Sequence, residues 1–381
     1  MNVTPRQDLD WFLRANRIVI KVGSSSLIHN GQLKQTWFAS FLADLATWHQ
    51  AGKELLVVSS GAVALGRAGL GLSHRPRLLK EKQAASAIGQ IKLAHAFDLG
   101  LTAHNITVAQ VLPTLSDTEN RQHYLNLCET LGTLLAQRVI PILNENDAVA
   151  NAELRFGDND RLAARIAQVI SADTVILLSD IDGLYTADPN KDPSAQHLAE
   201  VQEITAEIEA MGGGSGSNVG TGGMASKLLA ARIATTAGCD LLITNASPLH
   251  PLTALLQGGL HTRFVARQAP MAARKQWLAG CLNPAGSLTI DAGAAKALQR
   301  GGSLLAVGTT MVQGDFDRGD VVTVLDANGQ RLANGLVQYS AAEARRLLGH
   351  KSQEFEEILG FSNNDALIHH NDLALLSLPL L

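Results

Sequence analysis

The sequence predicts an α/β chain, a three-layer α/β/α sandwich around a mainly parallel sheet, followed by a small β-rich domain. Short apolar runs bounded by glycine or polar turns recur through the first 250 residues: "RIVIKVG", "ELLVVSSG", "TVAQVLP", "VIPILNEND", "TVILLSD" and "DLLITNA". Longer stretches with helical spacing lie between them. Continuous apolar strands alternating with amphipathic helices imply a parallel sheet covered on both faces. Near residue 270 the pattern changes to short strands separated by turn signals.

The elements follow in order. Residues 1–16 look like an N-terminal arm, and "RIVIKVG" opens the sheet. "TWFASFLADLATWHQAG" is a helix stopped at Gly52, and "DRLAARIAQVISA" is another. The α/β domain spans 17–270. Residues 271–282, within "QAPMAARKQWLAGCLNPAGS", read as a linker. From 283 to 381 come "GSLTID", "SLLAVGTTMVQGDF", "GDVVTVLDANGQ" and "RLANGLVQYS", interrupted by one helix near "SAAEARRLLG". Asn328-Gly329 signals a hairpin. The apolar "LALLSLPLL" is too short to cross a membrane, which takes about 20 residues, and reads as a closing strand.

Composition narrows the class. The 381 residues, 46% hydrophobic and 17% charged, describe a folded globular chain, and a formal net charge of -4 gives no general attraction to nucleic acid or anionic membrane. Cys128, Cys239 and Cys281 lie far apart, which points to neither a disulfide framework nor a zinc site. His369 and His370 read as surface residues. "MNVTPRQDLDWFLRAN" lacks the apolar core of a signal peptide, so a cytoplasmic protein is expected.

In open parallel sheets, ligands bind beyond the carboxyl ends of the strands, so the polar residues there matter most. Lys21 lies inside a strand, where a buried ammonium needs a partner; the alternative is a lysine reaching out from an edge strand. Gly23 and Ser24 follow it. Ser59-Ser60-Gly61 ends the next strand and starts a helix, as an anion site or a simple serine cap. Asn144, Glu145, Asn146 and Asp147 outnumber what a turn requires and suit an amine or hydroxyl. Asp158, Asn159 and Asp160 open a helix; one of them can be a plain cap. Ser179 and Asp180 end another strand, and Asp188-Pro189 makes a turn. "GTGGMASK", residues 220–227, offers glycine N–H groups at a helix start plus Lys227. It is not a Walker A loop, and no strand immediately precedes it as a dinucleotide fingerprint demands. Two lysines, two glycine-rich loops, several carboxylates and no nucleophile–base pair suit phosphoryl transfer, which relies on positioning and charge neutralisation.

Together "IKVGSSSL", "VVSSGAVALG", "PILNENDAV", "FGDNDRLAA", "LLSDIDGLYTADP" and "GTGGMASK" closely resemble the glutamate 5-kinase family of the amino-acid kinase superfamily, and the C-terminal section resembles a PUA domain. The resemblance implies an amino-acid kinase fold and ATP-dependent phosphorylation of the side-chain carboxylate of L-glutamate, the first step of proline biosynthesis. It implies that Lys21 and Lys227 flank the transferring phosphoryl group and that Asp160 orients them. It places glutamate on Ser60, Asp147 and Asn159. It places ATP on Lys21, Ser179, Asp180 and the stretch Thr221, Gly222, Gly223, Met224, Ala225, Ser226 and Lys227. Mg²⁺ would bridge the phosphates with no assigned protein ligand. Ser179 and Ser226 stand where many relatives carry threonine, and both keep the hydroxyl. The resemblance further implies proline as feedback inhibitor, handover to glutamyl phosphate reductase, and a homodimer or homotetramer.

The alternatives are superfamily kinases acting on aspartate, acetylglutamate, carbamate or UMP, against which "NENDAV" and "GDND" argue. RNA binding through the PUA domain is another. From residue 283 onward 7 Lys/Arg face 11 Asp/Glu, which disfavours RNA. With both lysines and Asp160 present, nothing supports a catalytically dead sensor.

Overall fold

The computed structural model describes residues 9–72, 74, 76, 78–149, 158–213, 223–279 and 284–376. The chain forms two compact units, divided between Pro270 and Met271.

The first unit is built on eight strands: β1 (Arg17–Val22), β2 (Glu54–Ser59), β3 (Val108–Val111), β4 (Ile140–Leu143), β5 (Thr174–Ser179), β6 (Glu200–Val201), β7 (Asp240–Asn245) and β8 (His261–Phe264). Their order across the sheet is β6-β8-β7-β5-β1-β2-β4-β3. Every pairing in it is parallel except β7 with β8. From β1 the chain turns to one side, towards β2. From β5 it turns to the other, towards β7. The boundary between β1 and β5 is therefore the topological switch point, where open α/β sheets form their crevice.

The helices that position the site are α1 (Gln35–Gln50), α2 (Ala62–Gly66), α3 (Leu79–Thr102), α4 (Arg121–Ala136), α5 (Asn159–Ile170) and α6 (Met224–Thr236). They build two cores, one on each face of the sheet. Ile18, Ile20 and Val22 of β1 pack with Phe38, Phe41 and Phe97 on one face. Val19 packs with Leu162, Ile166 and Ala231 of α5 and α6 on the other. Strand side chains alternate between faces, so Lys21 shares the α5/α6 face with Val19.

Residues 9–16 do not stand apart as an arm. Phe12 and Ala15 are buried in the first core, Phe12 lies 5.4 Å from the Trp48 ring, and the Arg263 guanidinium sits 3.7 Å above Trp11. The helices α2 and α3 meet backbone to backbone. A Cβ on Gly66 would lie 1.8 Å from the Ala85 carbonyl oxygen, and one on Gly89 would lie 1.7 Å from that of Ala62. Only glycine permits such an approach.

In the second unit, the stretch read as a linker carries a ten-residue helix, α7 (Pro270–Ala279), with Leu278 buried. Then come β9 (Gly286–Ile290), α8 (Ala292–Gln299), β10 (Thr309–Gly314), β11 (Val321–Leu325), β12 (Arg331–Leu336), α9 (Ala341–Leu347), α10 (Phe355–Leu359) and β13 (Leu373–Leu375). The sheet order is β10-β9-β11-β12-β13. The expectation of a single helix here falls short, because α8 and α10 join α9. Asp291 caps α8 by accepting from the Ala294 N–H at 2.7 Å. The Asn328-Gly329 turn joins antiparallel β11 and β12, with Gly329 at φ +81°. The closing strand is short, and residues 377–381 of the apolar tail lie outside the described residues. Among the described residues no helix is long and apolar enough to cross a membrane.

Candidate active site

Lys21 is not on an edge strand. It lies in the middle of the sheet, opposite Val58 of β2 and Leu177 of β5. Its Nζ reaches one oxygen of Asp160 at 2.5 Å. Lys227 Nζ, from the first turn of α6, donates to the other at 3.0 Å. Asp160 is fully enclosed, and both lysines are under a tenth exposed. Burial alone would push the Asp160 carboxyl up. The two ammonium charges and their hydrogen bonds outweigh it and hold the carboxyl below its ordinary 3.8. Two cations on one carboxylate leave an excess positive charge, which suits an incoming anion.

Asp160 is placed by its own helix. Asp158 is the cap of α5 and accepts the Asp160 N–H at 2.9 Å. The hydroxyl of Ser226, from α6, also donates to Asp158. Of the three polar residues in "DND", the first is thus a cap, and the next two face the site.

Asn159 starts a neutral network. Its Nδ2 donates to Ser60 Oγ at 2.7 Å and to Asn144 Oδ1 at 2.9 Å. Asn144 Nδ2 in turn donates to Gln90 Oε1 at 2.9 Å. Ser60 is not a helix cap, because Gly61 fills that position at φ +115°, a conformation that favours glycine. Asp147 accepts from Ser86 Oγ at 2.6 Å. A cavity of about 210 Å³ is lined by Ser86, Gln90, Gln110, Glu145, Asn146 and Asp147, with Ala87, Ile91, Leu112 and Ala148 completing the wall.

The remaining expected residues fall at neighbouring strand ends. Val22 of β1 is in register with Ser59 and Leu178, and Ser179 closes β5 beside Asn245 of β7. Ser179 Oγ donates to Asp180 Oδ1 at 3.0 Å. A Cβ added at Gly23, after β1, would lie in ordinary contact with Ser25 Oγ at 3.8 Å and Lys21 Nζ at 3.9 Å. Gly223 precedes α6, and Met224, Ala225, Ser226 and Lys227 form its first turn. Thr221 and Gly222 lie outside the described residues. Asp188-Pro189 makes the expected turn, with Asp188 O accepting from the Lys191 and Asp192 N–H groups.

The amino acid kinase family model matches residues 16–245. The chain is 54% identical over 363 residues to a glutamate 5-kinase of Paramagnetospirillum magneticum, which covers 95% of this chain and 98% of that one. It is 52% identical to the glutamate 5-kinase of Paracoccus denitrificans over 94% of this chain and 97% of that one. It belongs to the glutamate 5-kinase family. A PUA domain model matches residues 286–359. Glutamate 5-kinases belong to the amino acid kinases, so the chain is a phosphoryl-transfer enzyme.

In the sequence Asn144 stands out only as one of four polar strand-end residues, and Ser86 and Gln90 do not stand out at all. The first is the hub of the network. The other two lie one helical turn apart inside α3, where polar residues look like a solvated face.

Proposed function

We propose that this glutamate 5-kinase family member transfers the γ-phosphoryl group of ATP to the side-chain carboxylate of L-glutamate, giving L-glutamyl 5-phosphate and ADP. One carboxylate oxygen attacks the γ-phosphorus. The bond to the β,γ-bridging oxygen breaks, and ADP leaves with that electron pair. A glutamate side chain has an ordinary pKa of about 4.3, so the nucleophile is already ionised near neutral pH and no general base is required. The observation that carries this reading is the convergence of Lys21 and Lys227 on one buried carboxylate, beside a neutral hydrogen-bond network.

In this reading the lysines neutralise charge on the phosphoryl group in flight, and Asp160 holds them at the required spacing. Ser60, Asp147 and Asn159 hold glutamate. Ser179, Asp180 and the 221–227 stretch hold the nucleotide, with backbone N–H groups at the start of α6 suited to its phosphates. Among the described residues no group of three or more His, Cys, Asp or Glu forms a metal cage. The donors nearest the reaction are cationic, so Mg²⁺ would arrive on the nucleotide's own phosphates and supply charge neutralisation there.

The test is ADP release with Mg-ATP against L-glutamate, L-aspartate, N-acetylglutamate, carbamate and UMP, with hydroxylamine trapping any acyl phosphate. Glutamate-dependent turnover that Lys227→Ala lowers by roughly 10²–10³ supports the reading. Turnover with another acceptor moves the assignment of Ser60, Asp147 and Asn159. The family relationship adds further expectations: inhibition by proline, a homodimer or homotetramer, a cytoplasmic location, and handover of the labile acyl phosphate to glutamyl phosphate reductase. Proline titration, light scattering, cell fractionation and the lifetime of free intermediate with added reductase check them in turn.

A further inference from the structure

Gln90 stands in none of the roles assigned so far, yet it sits at the end of the neutral network. Its side chain is more than nine-tenths buried. Its Oε1 is taken by Asn144, and its Nε2 has no hydrogen-bond partner. The chain of donors fixes which way round the amide lies. Asn159 uses its NH₂ on Asn144 Oδ1, so Asn144 must offer its NH₂ to Gln90, and Gln90 must answer with its oxygen. The Gln90 NH₂ is therefore left over. A buried donor without a partner is costly, and such groups in folded proteins call for an explanation.

Its surroundings supply one. Gln90 and Ser86 are four residues apart on α3 and so share a face. Ser86 holds Asp147, and Gln90 and Asp147 line the same cavity. Asp147, an anionic acceptor of hydrogen bonds, and Gln90, the residue that carries the unused donor, thus line one cavity. An α-amino acid presents the complementary pair, an ammonium and a carboxylate, on a single carbon. We infer that Gln90 is a specificity residue whose Nε2 donates to the α-carboxylate of the bound amino acid, while Asp147 takes the α-ammonium. The inference rests on the glutamate reading, and it assigns the end of the substrate that does not react. Because Gln90 is tied through Asn144 to Asn159, next in sequence to Asp160, a correctly held α-carbon also sets the network that borders the reacting end.

The test compares L-glutamate with L-isoglutamine, in which a neutral carboxamide replaces the α-carboxylate and the side-chain carboxylate is intact. Steady-state ADP release is measured for the full-length wild type, Gln90→Glu and Gln90→Met, with thermal unfolding and the KM for Mg-ATP as controls. Gln90→Glu keeps the acceptor for Asn144 and turns the free donor into a like charge. The expected result is a rise of about ten- to a hundred-fold in KM for glutamate, with kcat and the KM for Mg-ATP held. The ratio of kcat/KM for glutamate over isoglutamine falls by a similar factor, because the carboxamide NH₂ can donate to the new carboxylate. If Gln90→Glu does not fold, Gln90→Met carries the comparison, losing more with glutamate than with isoglutamine. An active variant whose substrate ratio is unchanged overturns the role of Gln90 alone. A wild type without glutamate-dependent ADP release overturns the glutamate reading beneath it.

Discussion

At one end of the candidate active site Lys21, Asp160 and Lys227 bring three charged groups together almost out of reach of water. At the other, Ser60, Asn159, Asn144 and Gln90 form a run of neutral hydroxyl and amide groups, buried at Asn144 and Gln90 and half-buried at Ser60 and Asn159. The two ends meet at consecutive residues, Asn159 and Asp160, at the start of α5. Buried charges are costly to assemble and strongly destabilising when one partner is removed. They suit the place where charge moves during reaction. Neutral groups attract less, but a wrong ligand leaves them unpaired, so they discriminate well. In the proposed reading the contrast separates rate from selectivity within a few residues of chain.

The contrast is broken most severely at its ionic end. Asp160→Asn leaves two ammonium groups around a neutral amide, and we expect a stability loss of about 3–5 kcal/mol in urea unfolding. Lys227→Ala keeps one lysine on the carboxylate. It is expected to lower kcat by roughly 10²–10³ while KM for glutamate moves little, and Lys227→Arg does not restore it, since the planar fork cannot replace a point charge. Asn144→Ala cuts the neutral run. The expected effect is a higher KM for glutamate with kcat retained, and a loss of about 1–3 kcal/mol in stability from the stranded partners. Asp158→Ala removes the α5 cap and should cost about 1 kcal/mol by thermal or urea unfolding.

Acid sharpens the same comparison. The Asp160 carboxyl titrates below its ordinary 3.8 in the folded protein. Its contribution to stability is therefore complete above the unfolded value and is lost as pH falls through the lower folded one. Urea midpoints of wild type and Asp160→Asn should be far apart at neutral pH and converge under strong acid. Asn144→Ala should keep its offset there, because no titrating group is involved.

Much of this was legible in the sequence because buried parallel strands are apolar throughout, so each polar residue at a strand end stands out. Lys21, Ser60, Asn144 and Ser179 were visible for that reason, and the alternation of strand and helix gave the sheet. Gln90 and Ser86 were not, because a helix with polar residues on one face reads as a solvated helix until its neighbours are known. Phe12 was hidden by a polar N-terminal segment that conceals one core anchor. The helix α8, "AGAAKALQ", has too few large apolar residues for its spacing to register. No sequence pattern distinguishes the cap, Asp158, from the residues beside it; that takes the backbone, where Asp158 accepts the Asp160 N–H.

The glycine contact between α2 and α3 has a consequence for redesign. Because Gly66 and Gly89 let the two backbones touch, no side chain separates the helix following Ser60 from the one bearing Ser86 and Gln90. The contact behaves as a shim of zero thickness. A methyl group at either glycine must drive the helices apart and widen the gap between the pocket wall and Ser60. Anyone wishing to fit a longer dicarboxylic acid would begin there, well away from the lysines, and would leave the reacting end in its original register.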